Sequence, residues 1–524
     1  MFFGICIGDD KSAVLWQDVV RQHVAWLGAA SRAESFAAGG KGVHVVWAAA
    51  RLPEPASGHP EGFGYLALTM RGGVLCASEW AEDQVRCWVT DEQSPVESRV
   101  AVSLQTGDLF AAVPPVSSEF LCYTPVSGGW ALSNDLRFLA RLVGADLDEY
   151  GVFSLFRHAI VVPPATLFKN IRCVPGGHLL RIGRGSEAPT LEVFFHLEPP
   201  PEGPPQPAAA EAKVRDTLDE ILASTPSSSI VYFSGGMDSS LIAARLAAMG
   251  RRDATLVNYA FGPQDEAGQK ALKIAAHLGM RCEQFMWDVT SVPAVLERFG
   301  KDYPVPFGDP SMVPGNLIAH ASLPLAEKSG MAIHGVGTGA MFGQRALLRK
   351  KLKPLYSIPL PLRQMCAEAY RWLGLWRHES QIERGIGFLR RSLESPSIVP
   401  PRAGQHPMNG IAYTMPDRMG ERLEEGIRYY AKAFWAGPRP VQGLLNTMLI
   451  LARQFSAIAA GPLGARGVRT MGAFTEPRML RCAYALQTEE KLPGGVPRGV
   501  LKNLLSKSLP PEWIYVPGRS FIVP

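Results

Sequence analysis

Seven consecutive residues, Ser234, Gly235, Gly236, Met237, Asp238, Ser239 and Ser240, combine the residue types that can hold a phosphate. They follow the apolar run Ile230-Val231-Tyr232-Phe233 and open the segment DSSLIAARLAAMG, whose apolar spacing predicts a helix. Two glycines let the backbone turn sharply and come close to a ligand. The first turn of the following helix presents N–H groups without intrahelical partners and a partial positive charge, and both favour an anion. The serine hydroxyls add donors, and the Asp238 carboxylate is a ligand for a hard cation set against phosphate oxygens. A glycine turn with Asp and Ser capping a helix is the simpler account of the same residues. No Gly-Lys-Ser/Thr follows the glycines, so the loop is not of the Walker A type.

The elements around the loop come from the rest of the chain. With 524 residues and 56.9 kDa it is too long for one core, since domains stop growing at about 250–300 residues, and two domains are expected. Lys and Arg number 53 and Asp and Glu 48, a net charge of +5, too weak an excess at this length for a nucleic-acid binder. The eight cysteines form no CxxC pair and no zinc-site spacing, as expected for reduced thiols of a cytosolic protein. The opening MFFGICIGDDK lacks the basic start of a signal peptide, and no apolar run reaches the length of a spanning helix. A cytoplasmic protein without a membrane partner is expected.

The first part reads as β-rich. FFGICIG, VHVVWAAARL, FGYLALTM, VLCASEW, QVRCWVT, LFAAV, EFLCYTPV and GWALSN are short β-branched and aromatic runs between turn residues, followed by a helical DLRFLARLVG. TLFKNIRCVPGGHLLRI reads as strand, turn and strand around Pro175, Gly176 and Gly177. Hairpins packed into two sheets with some helices, an α+β domain, fit this order over residues 1–197. Residues 198–210, EPPPEGPPQPAAA, form a proline-rich, semi-rigid linker. Beyond it, over 211–524, strands alternate with helices: SSSIVYF, DSSLIAARLAAMG, ATLVNYAF, DEAGQKALKIAAHLG and MAIHGVG. That alternation implies a parallel, doubly wound α/β sheet, with ligands at the carboxyl ends of its strands. From about 345 the chain reads as mostly helical, interrupted by proline-rich stretches at 354–362 and 396–407.

The string SGGMDSS resembles the pyrophosphate-binding loop of ATP-pyrophosphatases, and most of the chain resembles the asparagine synthetase superfamily. GWALSNDLRFLARL and TLFKNIRCVPGGHLLRI look like late parts of that family's N-terminal glutaminase-type domain. LVNYAFGPQDEAGQKALKIAAHLG looks like its second strand and helix. GDPSMVP and HGVGTGAMFGQ look like its next two active-site segments. The resemblance implies a glutaminase-like (Ntn-type) sandwich followed by an adenine-nucleotide alpha-hydrolase-like parallel-sheet domain with a helical C-terminal part. It implies ATP and Mg2+ as cofactors. The nucleotide would be held by Ser234, Gly235, Gly236, Asp238, Ser239, Ser240, by backbone around Val257, Tyr259 and Phe261, and by Gly335 and Gly337. Asp238 and Asp309 would be the metal ligands.

Three departures narrow what the resemblance implies. Glutamine-hydrolysing members carry a cysteine directly after the initiator Met, and here the residue is Phe2. Cys6 has no free amine and lies in a strand pattern, so it reads as core. Where the family has a metal-binding aspartate and a substrate-handling Glu or Tyr, this chain has Gly339 and Val336. RGVLKNLLSKSLPPEWIYVPGRSF resembles the family's closing segment, but its lysine position falls on Gly518; Arg519 or Lys502 is left as the replacement cation. The basic run Arg345, Arg349, Lys350, Lys351 and Lys353 reads as a solvated helix face or an attractor of acidic partners, and His178 and His334 as packing residues.

The resemblance then implies an ATP-dependent, amide-forming ligase whose substrate brings its own amine. Asp238, Arg519 and Lys502 are its candidate catalytic residues. Macrolactam closure of a lasso-type peptide is the favoured reaction, with a peptide or small carboxylate as substrate and a leader peptidase and precursor peptide as partners. Asparagine synthesis from glutamine or ammonia, a β-lactam synthetase-like reaction and a non-catalytic nucleotide-binding paralogue are the alternatives.

Overall fold

A computed structural model describes residues 2–27, 31–38, 43–50, 65–69, 73–77, 82–90, 97–103, 106–158, 161–183, 188–198, 200–307, 311–342, 358–359, 362, 365, 456–458 and 460–515. The proline-rich interruptions and the long stretch read as helical from 345 fall almost wholly outside these residues, as does the basic run at 345–353.

The N-terminal part holds two six-stranded sheets. The first has the order β10-β8-β9-β1-β3-β2, built from β1 (Phe2–Gly8), β2 (Ser31–Ala38), β3 (Val43–Ala50), β8 (Cys122–Val126), β9 (Gly129–Ser133) and β10 (Arg172–Cys173). The second has the order β12-β11-β7-β6-β4-β5. It is built from β4 (Tyr65–Thr69), β5 (Gly73–Ala77), β6 (Arg99–Ser103), β7 (Leu109–Val113), β11 (His178–Ile182) and β12 (Thr190–Val193). Side chains alternate across a strand, so β1 serves two cores at once. Ile5 and Ile7 pack with Val100, Val102, Leu109 and Leu180 between the sheets. Cys6 packs on the opposite face with Trp16 and Val20 of helix α1 (Asp10–Leu27). The far face of the second sheet carries helix α2 (Glu82–Thr90) through Val85 and Val89. The layers therefore run helix, sheet, sheet, helix.

One sequence reading changes here. QVRCWVT is helical, part of α2: Val85 and Val89 are buried and Cys87 is exposed, which is i, i+4 spacing and not alternation. Glu82 and Asp83 in its first turn suit the positive helix end. The strand, turn and strand around Pro175–Gly177 are as read from the sequence. The turn carries the chain from β10 in one sheet to β11 in the other, and a Cβ at Gly176 would lie 2.3 Å from the Pro115 carbonyl oxygen. His178 is buried, with Nδ1 2.9 Å from the Gly176 carbonyl oxygen, a packing residue as read.

The linker is docked. Gln487 Nε2 donates to the Pro201 and Gly203 carbonyls at 3.1 and 2.9 Å, and the Gln206 N–H donates to Glu490 Oε1 at 2.8 Å. It also ends sooner than read from the sequence, because the next helix begins at Pro207, where a proline at the first position is favoured.

Beyond it lies a five-stranded parallel sheet of order β15-β14-β13-β16-β17. Its strands are β13 (Ile230–Tyr232), β14 (Thr255–Ala260), β15 (Cys282–Met286), β16 (Met331–His334) and β17 (Arg469–Gly472). Both faces are covered, as parallel sheets require. Val231, Leu256 and Ile333 face a core with the helices Pro207–Ala223, Met237–Ala248 and Glu266–Leu278. Ile230, Val257 and Ala332 face one with Ala319 and Ala326, from the helices Met312–Ala321 and Leu323–Ser329.

The two parts meet at helix Leu136–Val143, whose N-cap is Asp135. The Asp135 carboxylate accepts from the Arg137 N–H at 3.0 Å and from Arg137 Nε at 2.8 Å, and stands 3.0 Å from His23 Nε2. Arg137 also donates to the Gly300 carbonyl, and the Leu136 N–H to the Pro304 carbonyl, across the seam. Burial pushes the Asp135 carboxyl up, but the Arg137 and His23 contacts more than offset it and hold it below the usual carboxylate range. Asp135→Ala strands Arg137 and His23, so urea denaturation is expected to show a loss of about 3–5 kcal/mol. The Asp135 contribution in the native protein is present above the ordinary carboxylate value and is lost as pH falls below it.

Candidate nucleotide site

The loop sits where β13 leaves the sheet, at the carboxyl edge. The Phe233 N–H still donates to the Val257 carbonyl at 2.8 Å, after which the chain turns. Gly235 has φ +66°, and a Cβ there would lie 2.9 Å from Ala271 Cα, so the position excludes side chains twice over. The helix Met237–Ala248 starts at Gly236 with no side-chain cap. The Ser240 N–H makes the first helical bond, to the Gly236 carbonyl at 2.9 Å. The hydroxyls of Ser234 and Ser239 stand 3.2 Å apart and brace the turn: Ser239 Oγ accepts the Ser234 N–H and Ser234 Oγ the Gly236 N–H, each at 3.2 Å. Ser240 Oγ is buried without a hydrogen-bond partner among the described residues. An uncapped helix start and an orphaned buried hydroxyl fit a phosphate better than the simple capped turn, in which Asp or Ser would satisfy these amides.

The segment after β16 closes on this loop. A Cβ on Gly335 would lie 3.2 Å from both Asp238 Cβ and the Ser239 nitrogen, and one on Gly337, at φ +115°, would lie 2.5 Å from Thr475 Cγ2. Gly335 and Gly337 thus bring the ends of β13, β16 and β17 together. Thr338 is buried and its hydroxyl bonds the Asp238 carboxylate. Val336 and Gly339, half-buried beside it, offer no carboxylate.

Arg498, which the sequence reading did not single out, completes the cluster. Its Nη1 lies 3.2 Å from both carboxylate oxygens of Asp238, 260 residues away in the chain. Burial raises the Asp238 carboxyl above its ordinary value, outweighing Arg498 and Thr338, which pull it down. Lys502 lies one turn beyond Arg498 with Nζ 5.3 Å from the Tyr515 ring centroid; burial first and Arg498 second lower its pKa. It stands close enough to Arg498 for the two charges to repel. Asp309 and Arg519 lie outside the described residues.

Of the expected adenine-holding residues, Val257 is tied into the sheet interior through the bond to Phe233, and the Phe261 N–H donates to Asp265 Oδ2 at 3.0 Å. Tyr259 and Phe261 instead share an aromatic cluster with Trp287, at ring distances of 6.0 and 5.4 Å. That cluster at the strand ends is an apolar wall suited to a flat base.

Among the described residues no group of three or more His, Cys, Asp or Glu can hold a metal ion. Mg2+ is satisfied by one carboxylate when phosphates and waters complete its shell, so Asp238 fits as a lone ligand once Arg498 is not on it. Cys6 is buried and its thiol is pushed up to about 12 by burial and then Asp9, which bears out its reading as core. A cavity of about 250 Å3 lies elsewhere, on the seam between the two parts, lined by Asp135, Arg137, Lys301, His320 and Arg469 among others. None of residues 234–240 lines it, so it is separate from the loop. Among the described residues no helix is long and apolar enough to cross a membrane.

Two outcomes follow from this geometry. Gly235→Ala costs about 1–2 kcal/mol at the left-handed backbone, and overlap with Ala271 adds to it. Calorimetric titration with a non-hydrolysable ATP analogue is expected to show affinity lowered about tenfold or more. His334, the last residue of β16, is buried with Nδ1 unpartnered among the described residues, and burial pushes it down to about 4. A folded-state histidine below its unfolded value of 6.5 contributes stability that is intact above pH 6.5 and lost as pH falls from there toward about 4. Urea midpoints measured across that window are expected to fall less in His334→Gln than in the native chain.

No curated protein matches this chain. Among solved structures it is similar to an NH3-dependent NAD synthetase from Campylobacter jejuni, at 14% identity and TM-score 0.21, covering 40% of this chain and 98% of that one. It is also similar to the glutamine phosphoribosylpyrophosphate amidotransferase from B. subtilis, at 10% identity and TM-score 0.22, covering 54% of this chain and 65% of that one. Neither similarity is close enough to carry an argument. The family model described as asparagine synthase matches residues 213–421, the segment that begins just ahead of the loop and includes it. That match identifies this part of the chain as a domain of the asparagine synthetase superfamily, and the protein as an ATP-using carbon–nitrogen ligase.

Proposed function

We propose that the protein closes an amide bond by adenylating a carboxylate and admitting an amine carried by the same substrate, with macrolactam closure of a lasso-type peptide as the reaction. The observation that carries the adenylation step is the uncapped start of the helix Met237–Ala248 beside the buried, unpartnered Ser240 hydroxyl. A carboxylate is a poor electrophile. Attack of its oxygen on the α-phosphorus of ATP breaks the bond to the β-phosphate, giving an acyl-adenylate and pyrophosphate. The loop amides and serine hydroxyls bind the departing pyrophosphate, where negative charge develops. The amine then attacks the acyl carbon, AMP leaves and the amine proton is lost. Magnesium, when bound, supplies further charge neutralisation at the phosphates, and Asp238 is the residue to hold it. The aromatic wall of Tyr259, Phe261 and Trp287 excludes water from the adenylate.

Phe2 in place of a nucleophilic cysteine supports a substrate-borne amine over ammonia from glutamine. In this reading the domain over 1–197 is a glutaminase-like sandwich of Ntn type without its nucleophile, and its four layers suit that ancestry. Residues 198–210 link it to the synthetase domain over 211–524. A precursor peptide and a leader peptidase that exposes its amine are the partners, in the cytoplasm. The sibling reading, a β-lactam synthetase-like enzyme, rests on the same missing cysteine. The non-catalytic paralogue rests on Gly339 and Val336.

The test is incubation with ATP and candidate peptides carrying a free N-terminal amine and an Asp or Glu, followed by mass spectrometry and a pyrophosphate assay. The expected result is a product lighter by one water with stoichiometric pyrophosphate, abolished by Asp238→Ala. Free asparagine made from aspartate and ammonia would overturn the macrolactam reading, and no pyrophosphate with any carboxylate would favour the non-catalytic paralogue.

A further inference from the structure

The cavity on the seam carries more positive charge than its own carboxylates match. Among its described lining residues are five cations, Arg137, Arg298, Lys301, Arg466 and Arg469, and three carboxylates, Glu119, Asp135 and Asp302. The carboxylates are engaged. Glu119 Oε2 accepts the Ser98 N–H at 2.9 Å, and Asp135 holds Arg137 and stands against His23. Asp302 Oδ2 accepts from Asn316 Nδ2 at 3.1 Å and from His320 Nε2 at 2.8 Å. Arg137 is committed in turn, to Asp135, to the Gly300 carbonyl and over the Trp26 ring. Arg298, Lys301, Arg466 and Arg469 remain, all exposed. Among the described residues the last three make no side-chain hydrogen bond or ion pair.

These four cations come in two pairs. A carboxylate only accepts, so Asp302 fixes the His320 proton on Nε2 and leaves Nδ1 as an acceptor. Arg298 Nη1 lies 3.5 Å from that Nδ1, so buried Asp302 positions the guanidinium through His320. Lys301 is three residues further along the helix Val292–Asp302, and like charges at that spacing repel. Arg466 and Arg469 are the second pair, from the turn that leads into β17 and its first residue. Phe120 and Phe307, with rings 5.8 Å apart, and Val305 give the cavity an apolar wall. Its volume of about 250 Å3 is roughly that of eight waters, room for a small organic acid.

The place of the cavity separates it from the adenylation chemistry. Arg469 opens β17 and Gly472 ends it, about 10 Å further on at 3.3 Å per residue. The nucleotide loop is at the carboxyl edge, where Gly337 meets Thr475. The cavity is lined by Val468, Arg469 and Thr470, at the amino edge. A carboxylate bound there is not the one presented to the α-phosphate.

We propose that the seam cavity binds a small organic dicarboxylate, with one carboxylate at Arg298 and Lys301 and the other at Arg466 and Arg469. Phe120 and the helix start at Asp135 come from the N-terminal part and the four cations from the sheet domain, so the ligand joins the two parts. The site does not depend on the adenylation reading.

Glutarate is the probe, titrated calorimetrically into the full chain. Saturable one-to-one binding is expected, with hexanoate, which has one charge, about tenfold weaker or more. Arg298→Gln and Arg469→Gln take one cation from each pair. Each is expected to lower glutarate affinity about tenfold or more and to leave the affinity for an ATP analogue unchanged, with melting temperature as the check on folding. Lys273→Gln, on the helix Glu266–Leu278 at the other face of the sheet, removes the same charge and is expected to change neither affinity. A short peptide ending in glutamate carries the same pair of carboxylates. Tighter binding of glutarate assigns the cavity to a free acid, and tighter binding of the peptide to a chain end. No glutarate binding by the native chain, equal binding of hexanoate, or native affinity in both arginine variants would overturn the proposal. Displacement of glutarate by the ATP analogue would overturn it as well, by putting the ligand at the loop. Failure of the native chain to bind the ATP analogue, with glutarate still bound, counts against the adenylation reading alone.

Discussion

The site depends on a helix that starts without a cap. At the carboxyl edge of a parallel sheet the chain must reverse within a few residues, and Gly235 does so in a left-handed conformation pressed against the next helix. The reversal leaves the first-turn amides of the helix Met237–Ala248 without a side-chain cap among the described residues, although Ser234, Asp238 and Ser239 are all close enough in sequence to supply one. The serines bond instead to each other and to the turn. Open amides at a helix start favour an anion, and in the proposed function the phosphates of ATP satisfy them. Gly335 and Gly337 are small for a related reason: any side chain there would push the neighbouring strand ends away from the loop.

Charge sets the second level of organisation. Asp238 is a partly buried carboxylate beside the positive end of a helix, paired with a guanidinium from the far end of the chain and bonded by Thr338. The contact ties the helix Gly499–Leu505 to the loop, so the C-terminal part of the chain is an integral wall of the site. The N-terminal sandwich lies on another side of the sheet domain and is fixed there by Asp135, Arg137 and the docked linker.

Much of this was legible in the sequence where local rules and the global fold agree. The loop, the strand before it and the helix after it were all read correctly, because glycines, β-branched residues and helical spacing point the same way. The alternation that predicts a parallel sheet held, although β15 and β17 carry too few apolar residues to announce themselves. QVRCWVT misled because Val85, Cys87 and Val89 alternate as a strand would, and only burial distinguishes that from helical spacing. The strand, turn and strand around Gly176 were legible, but sequence does not reveal which sheet receives each strand. Arg498 was invisible for a different reason. Its role comes from a contact across 260 residues, and the local signal, a basic residue before a short helix, argues against function. Asp309 and Arg519, chosen by resemblance, lie outside the described residues.

The central claim is that the crevice around residues 234–240 holds the phosphates of ATP. Isothermal titration of the full chain with an α,β-methylene ATP analogue in the presence of magnesium tests it most directly. Saturable, one-to-one binding that is lost in Asp238→Ala while the melting temperature is kept is the predicted result. Absence of binding by the native chain, or binding that Asp238→Ala leaves intact, would contradict it.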